Sequence, residues 1–234
     1  MHRLFQFSGF LLALGLSAPA FGQDAKENPA LKPLNRDIAR HKQFLKVVEM
    51  GEGDVIFIGD SITQGWEGEG KEVWGKYYAH RNAVNLGIGG DRTQHVLWRI
   101  QNGELDGITP KLAVLMIGTN NTGGQFAEHI AGGIKAIVAE LQKQKPDMKI
   151  LLLGVFPRSA KATDTIRAKI KYINAIISKL DDGKNVAYKD IGEKFLDKDG
   201  ALDKKIMPDF LHLSEEGYSI WAKAIEDDVK KMLK

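Results

Sequence analysis

Asp54-Val55-Ile56-Phe57-Ile58-Gly59-Asp60-Ser61-Ile62-Thr63-Gln64 is the stretch on which the fold turns. Its apolar run is too short for a helix and shows no polar alternation, so it reads as a strand buried on both faces. Gly53 and Gly59 bound it, and Asp60 and Ser61 follow where a turn or a helix cap is expected. Similar runs recur at 83–86, 112–117, 150–155 and, more weakly, 186–188. Between them, apolar residues at helical spacing predict helices over 72–78, 93–102, 124–144 and 164–180. A helix over 35–50 precedes the first strand, with Ile38, Phe44, Leu45 and Val48 on one side. A last helix over 215–233 closes the chain behind Ser214 as N-cap.

Strands alternating with helices imply right-handed crossovers and a sheet covered on both faces. The expected fold is therefore α/β, a three-layer α/β/α sandwich around a five-stranded parallel sheet. Ligands of such sheets lie outside the carboxyl ends of the strands, at the topological switch point.

Composition narrows the class. The chain has 234 residues, 43% of them hydrophobic, which suits one domain with a substantial core. Its 33 basic and 30 acidic residues leave a net charge of +3, too small an excess to mark a nucleic-acid or membrane-surface partner. Residues 1–22 read as an export leader: Arg3 gives a fixed positive charge, 4–16 is mostly apolar, and Ala18-Pro19-Ala20 or Ala20-Phe21-Gly22 offers a cleavage site. That apolar stretch falls short of the ~20 residues a membrane span needs. The expected organisation is a leader over 1–22, a polar linker over 23–33 and one domain over 34–234, exported to the periplasm or the medium, with no membrane segment once the leader is removed. The chain has no cysteine, which excludes disulfides, thiolate catalysis and Cys-ligated metal sites. No histidine spacing suits a metal either, and no cofactor is expected.

The carboxyl ends of the predicted strands carry polar or glycine-rich clusters: Gly59-Asp60-Ser61, Gly87-Ile88-Gly89-Gly90-Asp91 and Gly118-Thr119-Asn120-Asn121. Asp209-Phe210-Leu211-His212 precedes the last helix. A hydroxyl nucleophile needs a neutral imidazole to take its proton, and the imidazole needs an acceptor on its other nitrogen. Asp209 and His212 can project from one short loop, and Ser61 can meet them across the sheet. The Ser61 N–H, the Gly90 N–H and the Asn120 amide are candidate donors for an oxyanion. Gly87 and Gly89 compete with Gly90 for that role. Among the other histidines, His95 reads as structural, and His41, His80 and His129 as surface residues. Phe156-Pro157-Arg158 and Arg92 are placed at the rim of the site, and Asp60 beside the nucleophile.

In order and spacing these clusters resemble the SGNH (GDSL-like) hydrolases, and within them the catalytic-subunit branch of platelet-activating-factor acetylhydrolase. The stretch Asn85 to Ile100 is especially similar. The resemblance implies a flavodoxin-like SGNH hydrolase fold, Ser61 as nucleophile, His212 as base, Asp209 as its orienting acid, and Ser61, Gly90 and Asn120 as the oxyanion hole. Many members carry Asp where this chain has Asn121; the acetylhydrolase branch looks the same as this chain there. Those subunits lack an export leader, so their cellular role does not transfer. Their dimerisation leaves a homodimer open, although no stretch marks an interface.

The expected activity is hydrolysis of short-chain, acetyl-type carboxylic esters through an acyl-enzyme, on a small-molecule or glycan ester. Rivals are a thioesterase or lysophospholipase on the same residues, an acyltransferase, and a glycan-binding module with an idle site.

Overall fold

The five apolar runs form five strands: β1 (Val55–Gly59), β2 (Ala83–Gly87), β3 (Leu112–Met116), β4 (Lys149–Leu153) and β5 (Val186–Lys189). A computed structural model describes residues 28–234; the leader and the first part of the linker lie outside them. All strands are parallel, in the order β2-β1-β3-β4-β5. Every residue of β1 and β3 is buried, as their unbroken apolar sequence requires, whereas the edge strands β2 and β5 are partly open.

Side chains alternate across the sheet, so Ile56 and Ile58 enter one core and Val55 and Phe57 the other. The first core takes Phe44 and Val48 of α1 (Ala39–Glu49), Val96 and Ile100 of α4 (Thr93–Gln101), Ile130 and Ile134 of α5 (Ala127–Gln144) and Ile173 of α6 (Thr165–Ile177). The second takes Val73 of α3 (Lys71–Tyr77) and Trp221 and Ile225 of α7 (Glu215–Met232). A four-residue helix, α2 (Ser61–Gln64), follows β1 directly. The chain leaves β1 over one face and β3 over the other, so the crevice between their carboxyl ends is the switch point.

Several boundaries differ from the sequence reading, and three of the differences have a visible local cause. α1 starts at Ala39 rather than 35, because Asn35 accepts the Asp37 N–H in a local turn and the chain is still extended at Ile38. α5 starts at Ala127 rather than 124, behind an extended Phe126. Residues 28–31, read as linker, are packed on the domain: Pro29–Leu31 is a 3-10 turn, Ala30 is fully buried, and the Asn28 amide donates to the His129 carbonyl. Among the described residues, no helix is long and apolar enough to cross a membrane.

Candidate active site

Ser61 stands at the first position of α2, immediately past the end of β1. The turn into it is tight. A Cβ on Gly59 would lie 2.1 Å from Thr63 Oγ1 and 2.4 Å from the Met116 carbonyl, so only glycine fits. Asp60 caps α2, its Oδ1 accepting the Ile62 N–H at 3.0 Å. Asp60 is wholly buried and its Oδ2 has no partner among the described residues. Burial dominates and pushes its carboxyl up to about 7; the Ile62 N–H opposes this, Asp91 adds to it, and His212 and Arg158 oppose it.

From the opposite side of the site comes the loop before α7. His212 Nε2 lies 2.8 Å from Ser61 Oγ, and His212 Nδ1 lies 2.7 Å from Asp209 Oδ2. The second Asp209 oxygen accepts the N–H groups of Leu211 at 3.0 Å and His212 at 2.7 Å. Partial burial raises the Asp209 pKa, but the bonds from the His212 side chain and from these two amides outweigh it and hold the carboxyl below its ordinary value. Between the pair, Phe210 takes a left-handed φ of 59°, unusual for a bulky residue. Its carbonyl accepts the Ser159 N–H at 2.9 Å and its own N–H donates to Met207, which pins the loop. Ser214 then caps α7, accepting the Gly217 N–H.

In the glycine loop after β2, the three N–H groups left open by the sequence differ in what they already bond. The Gly87 N–H donates to Asn85 Oδ1 at 2.9 Å and the Gly89 N–H to Gln64 Oε1 at 2.7 Å. The Gly90 N–H has no acceptor among the described residues, and Gly90 has φ +77°. Asn120, after β3, donates one amide hydrogen to the Asp91 carbonyl at 2.9 Å, leaving the other available. The side chains of Asp209 and His212 are 55% and 45% exposed, so the site opens directly to solvent. A serine hydroxyl bonded to an imidazole that a carboxylate orients can lose its proton as it attacks a carbonyl.

Several residues had no assigned role in the sequence. Asp91, fully buried, is gripped by Arg36 Nε at 2.7 Å and Arg99 Nε at 2.9 Å, and Arg99 also meets Glu104. Gln64 tethers the glycine loop. Asn121 braces Thr93, Gln94 and Gln125, with its amide nitrogen donating to Gln94 Oε1 and Gln125 Oε1. A carboxylate could not make those donations.

Two expectations, for His41 and Phe156, need correction. His41 is not a surface residue but buried, 3.5 Å from Glu104 and edge-on to Trp98, on the face α1 turns inward. Phe156 does not face the site; it is core, packed on Phe195 and Trp221. Arg158 reaches the Thr119 carbonyl and hydroxyl, each at 3.3 Å. His95 is structural, accepting the Arg92 N–H at 3.1 Å. Burial first, then Arg36, Arg92 and Arg99, push it down to about 4, which leaves it neutral at pH 7.

The GDSL-like lipase/acylhydrolase family model matches residues 57–220, from β1 into α7. Platelet-activating factor acetylhydrolase IB subunit alpha2 of Rattus norvegicus is 37% identical over 223 residues, 95% of each chain. The alpha1 subunit of Homo sapiens is 36% identical over 217 residues, 89% of this chain and 92% of its own. Among solved structures, a GDSL-like lipase from Bacteroides thetaiotaomicron gives a TM-score of 0.66 at 22% identity, over 82% of this chain and 97% of that one. An acetyl xylan esterase, AlAXEase, gives 0.65 at 25% identity, over 75% and 98%. Matched over nearly its whole length by relatives at 36–37% identity, and by the family from first strand to last helix, this chain belongs to the GDSL-like lipase/acylhydrolase family and is a carboxylic ester hydrolase.

Proposed function

We propose that the protein hydrolyses short-chain, acetyl-type esters through an acyl-enzyme on Ser61. The observation that carries this reading is the chain Ser61–His212–Asp209, with bonds of 2.8 and 2.7 Å, beside a Gly90 N–H that has no acceptor among the described residues. Ser61 Oγ attacks the ester carbonyl as its proton passes to His212 Nε2, and Asp209 stabilises the imidazolium. The tetrahedral oxyanion takes hydrogen bonds from the N–H groups of Ser61 and Gly90 and from the Asn120 amide. Collapse breaks the bond to the alcohol, which leaves with the proton from His212. Water then attacks the acyl group by the same route and regenerates the serine.

Acetyl preference draws support from the relatives, which are named acetylhydrolase and acetyl xylan esterase. Exposure of Asp209 and His212 suits a bulky polar alcohol such as a sugar, so O-acetylated glycans are the proposed natural class. The leader-like residues 1–22 support action outside the cytoplasm. Hydrolysis of p-nitrophenyl acetate, butyrate and octanoate by the wild type and Ser61→Ala is the test. The expected result is fastest turnover of acetate and a loss of ~10³-fold or more in kcat for the variant. Octanoate preference would replace this reading with a lysophospholipase or thioesterase, and equal rates for both proteins would remove Ser61 from the mechanism.

A further inference from the structure

Arg36 lies outside the family's signature clusters, on the extended arm ahead of α1, yet it touches the loop that carries Gly90. Its Nη2 donates to the Gly89 carbonyl at 2.7 Å and its Nε to Asp91 Oδ1 at 2.7 Å. The guanidinium therefore bridges the residues on either side of Gly90. The Gly89 carbonyl and the Gly90 N–H belong to one peptide unit, and in a trans peptide they point in opposite directions. No peptide in the described chain is cis. Whatever fixes the carbonyl consequently aims the N–H. With glycine on both sides, that unit has little intrinsic preference, and rotation about it would turn the donor out of the site.

We propose that Arg36 is a positioning residue for the oxyanion hole: by holding the Gly89 carbonyl it aims the Gly90 N–H at the reacting carbonyl and polarises it. This rests on the ester-hydrolysis reading above. A cation bonded to the carbonyl draws electron density from the amide and makes its N–H a stronger donor. Asp91 is the anchor. Fully buried, it is held by Arg99 Nε on its other oxygen, and Arg99 Nη2 is itself fixed on the Leu86 carbonyl at 3.1 Å. The Asp91 backbone carbonyl accepts from Asn120 Nδ2 at 2.9 Å, so one residue ties the Gly90 peptide to the Asn120 amide. The arm that delivers Arg36 is seated on the domain by the Leu34 N–H on the Gln94 carbonyl and by Thr93 Oγ1 on the Ala30 carbonyl.

Arg36→Ala and Arg36→Lys, assayed on p-nitrophenyl acetate beside wild type and Ser61→Ala, test the proposal. For Arg36→Ala we expect kcat to fall about 10- to 100-fold with KM little changed, because the lost contact acts on the transition state. A boronic acid that forms a tetrahedral adduct on Ser61 should bind more weakly by a similar factor. Low millimolar guanidinium chloride should restore part of the rate in Arg36→Ala and none in Ser61→Ala. Arg36→Lys keeps a cation but loses the fork, and should fall between the two. It also provides the reading if Arg36→Ala does not fold. An unchanged kcat in both variants, while wild type turns over and Ser61→Ala does not, would overturn the proposal. So would a loss spread over KM, kcat and melting temperature alike, with no response to guanidinium. An inactive wild type would instead strike at the ester-hydrolysis reading itself.

Discussion

Asp209 and Asp60 are both carboxylates near His212, and their surroundings drive them apart. Asp209, more than half exposed, is kept ionised by three donated hydrogen bonds, whereas Asp60, sealed from water, is pushed up to about 7. Asp209→Asn would place an amide N–H against His212 Nδ1 and favour the wrong tautomer; kcat should fall by ~10²-fold or more with the fold intact, read by kinetics beside circular dichroism. For Asp60 the sign runs the other way from a salt-bridged acid. Its folded pKa lies above the unfolded one, so its contribution is fully present below the ordinary carboxyl value of 3.8 and lost as pH rises through about 7. Asp60→Asn keeps an acceptor for the Ile62 N–H and removes the titration. Its stability relative to wild type should therefore climb between pH 4 and pH 7, by at most about 1.4 kcal/mol per pH unit, and level off above. Urea melts across that range would show a flat difference if Asp60 ionises normally.

The elements were legible to the extent that their signals are local. Each strand announced itself as a short apolar run, and each long helix by its spacing, with ends off by a few residues at most. α2 was not legible, since Ser61–Gln64 is shorter than the window in which periodicity can be read. The candidate residues Ser61, Gly90 and Asn120 showed because they follow strands, where a parallel sheet meets ligand, and Asp209 and His212 because of their spacing ahead of the last helix. The Arg36–Asp91 contact did not show, as its members are 55 positions apart and Arg36 belongs to no motif. His41 was misplaced for a similar reason: its burial depends on Trp98 and Glu104, which arrive from a later helix and loop. The junction of β1 with α2 makes its own prediction. Gly59→Ala forces a methyl into Thr63 and the Met116 carbonyl, and should cost roughly 1–3 kcal/mol and most of the activity, measured by denaturant unfolding and turnover together.

At the scale of the whole molecule, the sheet separates two cores of different character. One is built mainly from aliphatic side chains; the other gathers Phe57, Trp66, Tyr78, Tyr218 and Trp221 in edge-on, tilted and stacked contacts at 4.5–6.4 Å. Trp221 is fully buried on α7, the helix that follows the His212 loop. Trp221→Ala should lower the unfolding free energy by ~3–5 kcal/mol. Because α7 seats that loop, kcat should drop at temperatures where the variant is still folded; full activity up to the melting transition would show that the loop is held without it.

Ser61 and His212 meet at 2.8 Å across 151 positions of sequence. Synthesis runs from the first residue to the last, so a chain emerging from the ribosome presents its serine long before any imidazole exists to activate it. If Ser61 is the nucleophile and His212 its base, such a chain is silent towards esters. On the mechanism proposed above, turnover would begin only when the loop before α7 has been made and docked, so that the onset of activity would time the completion of folding.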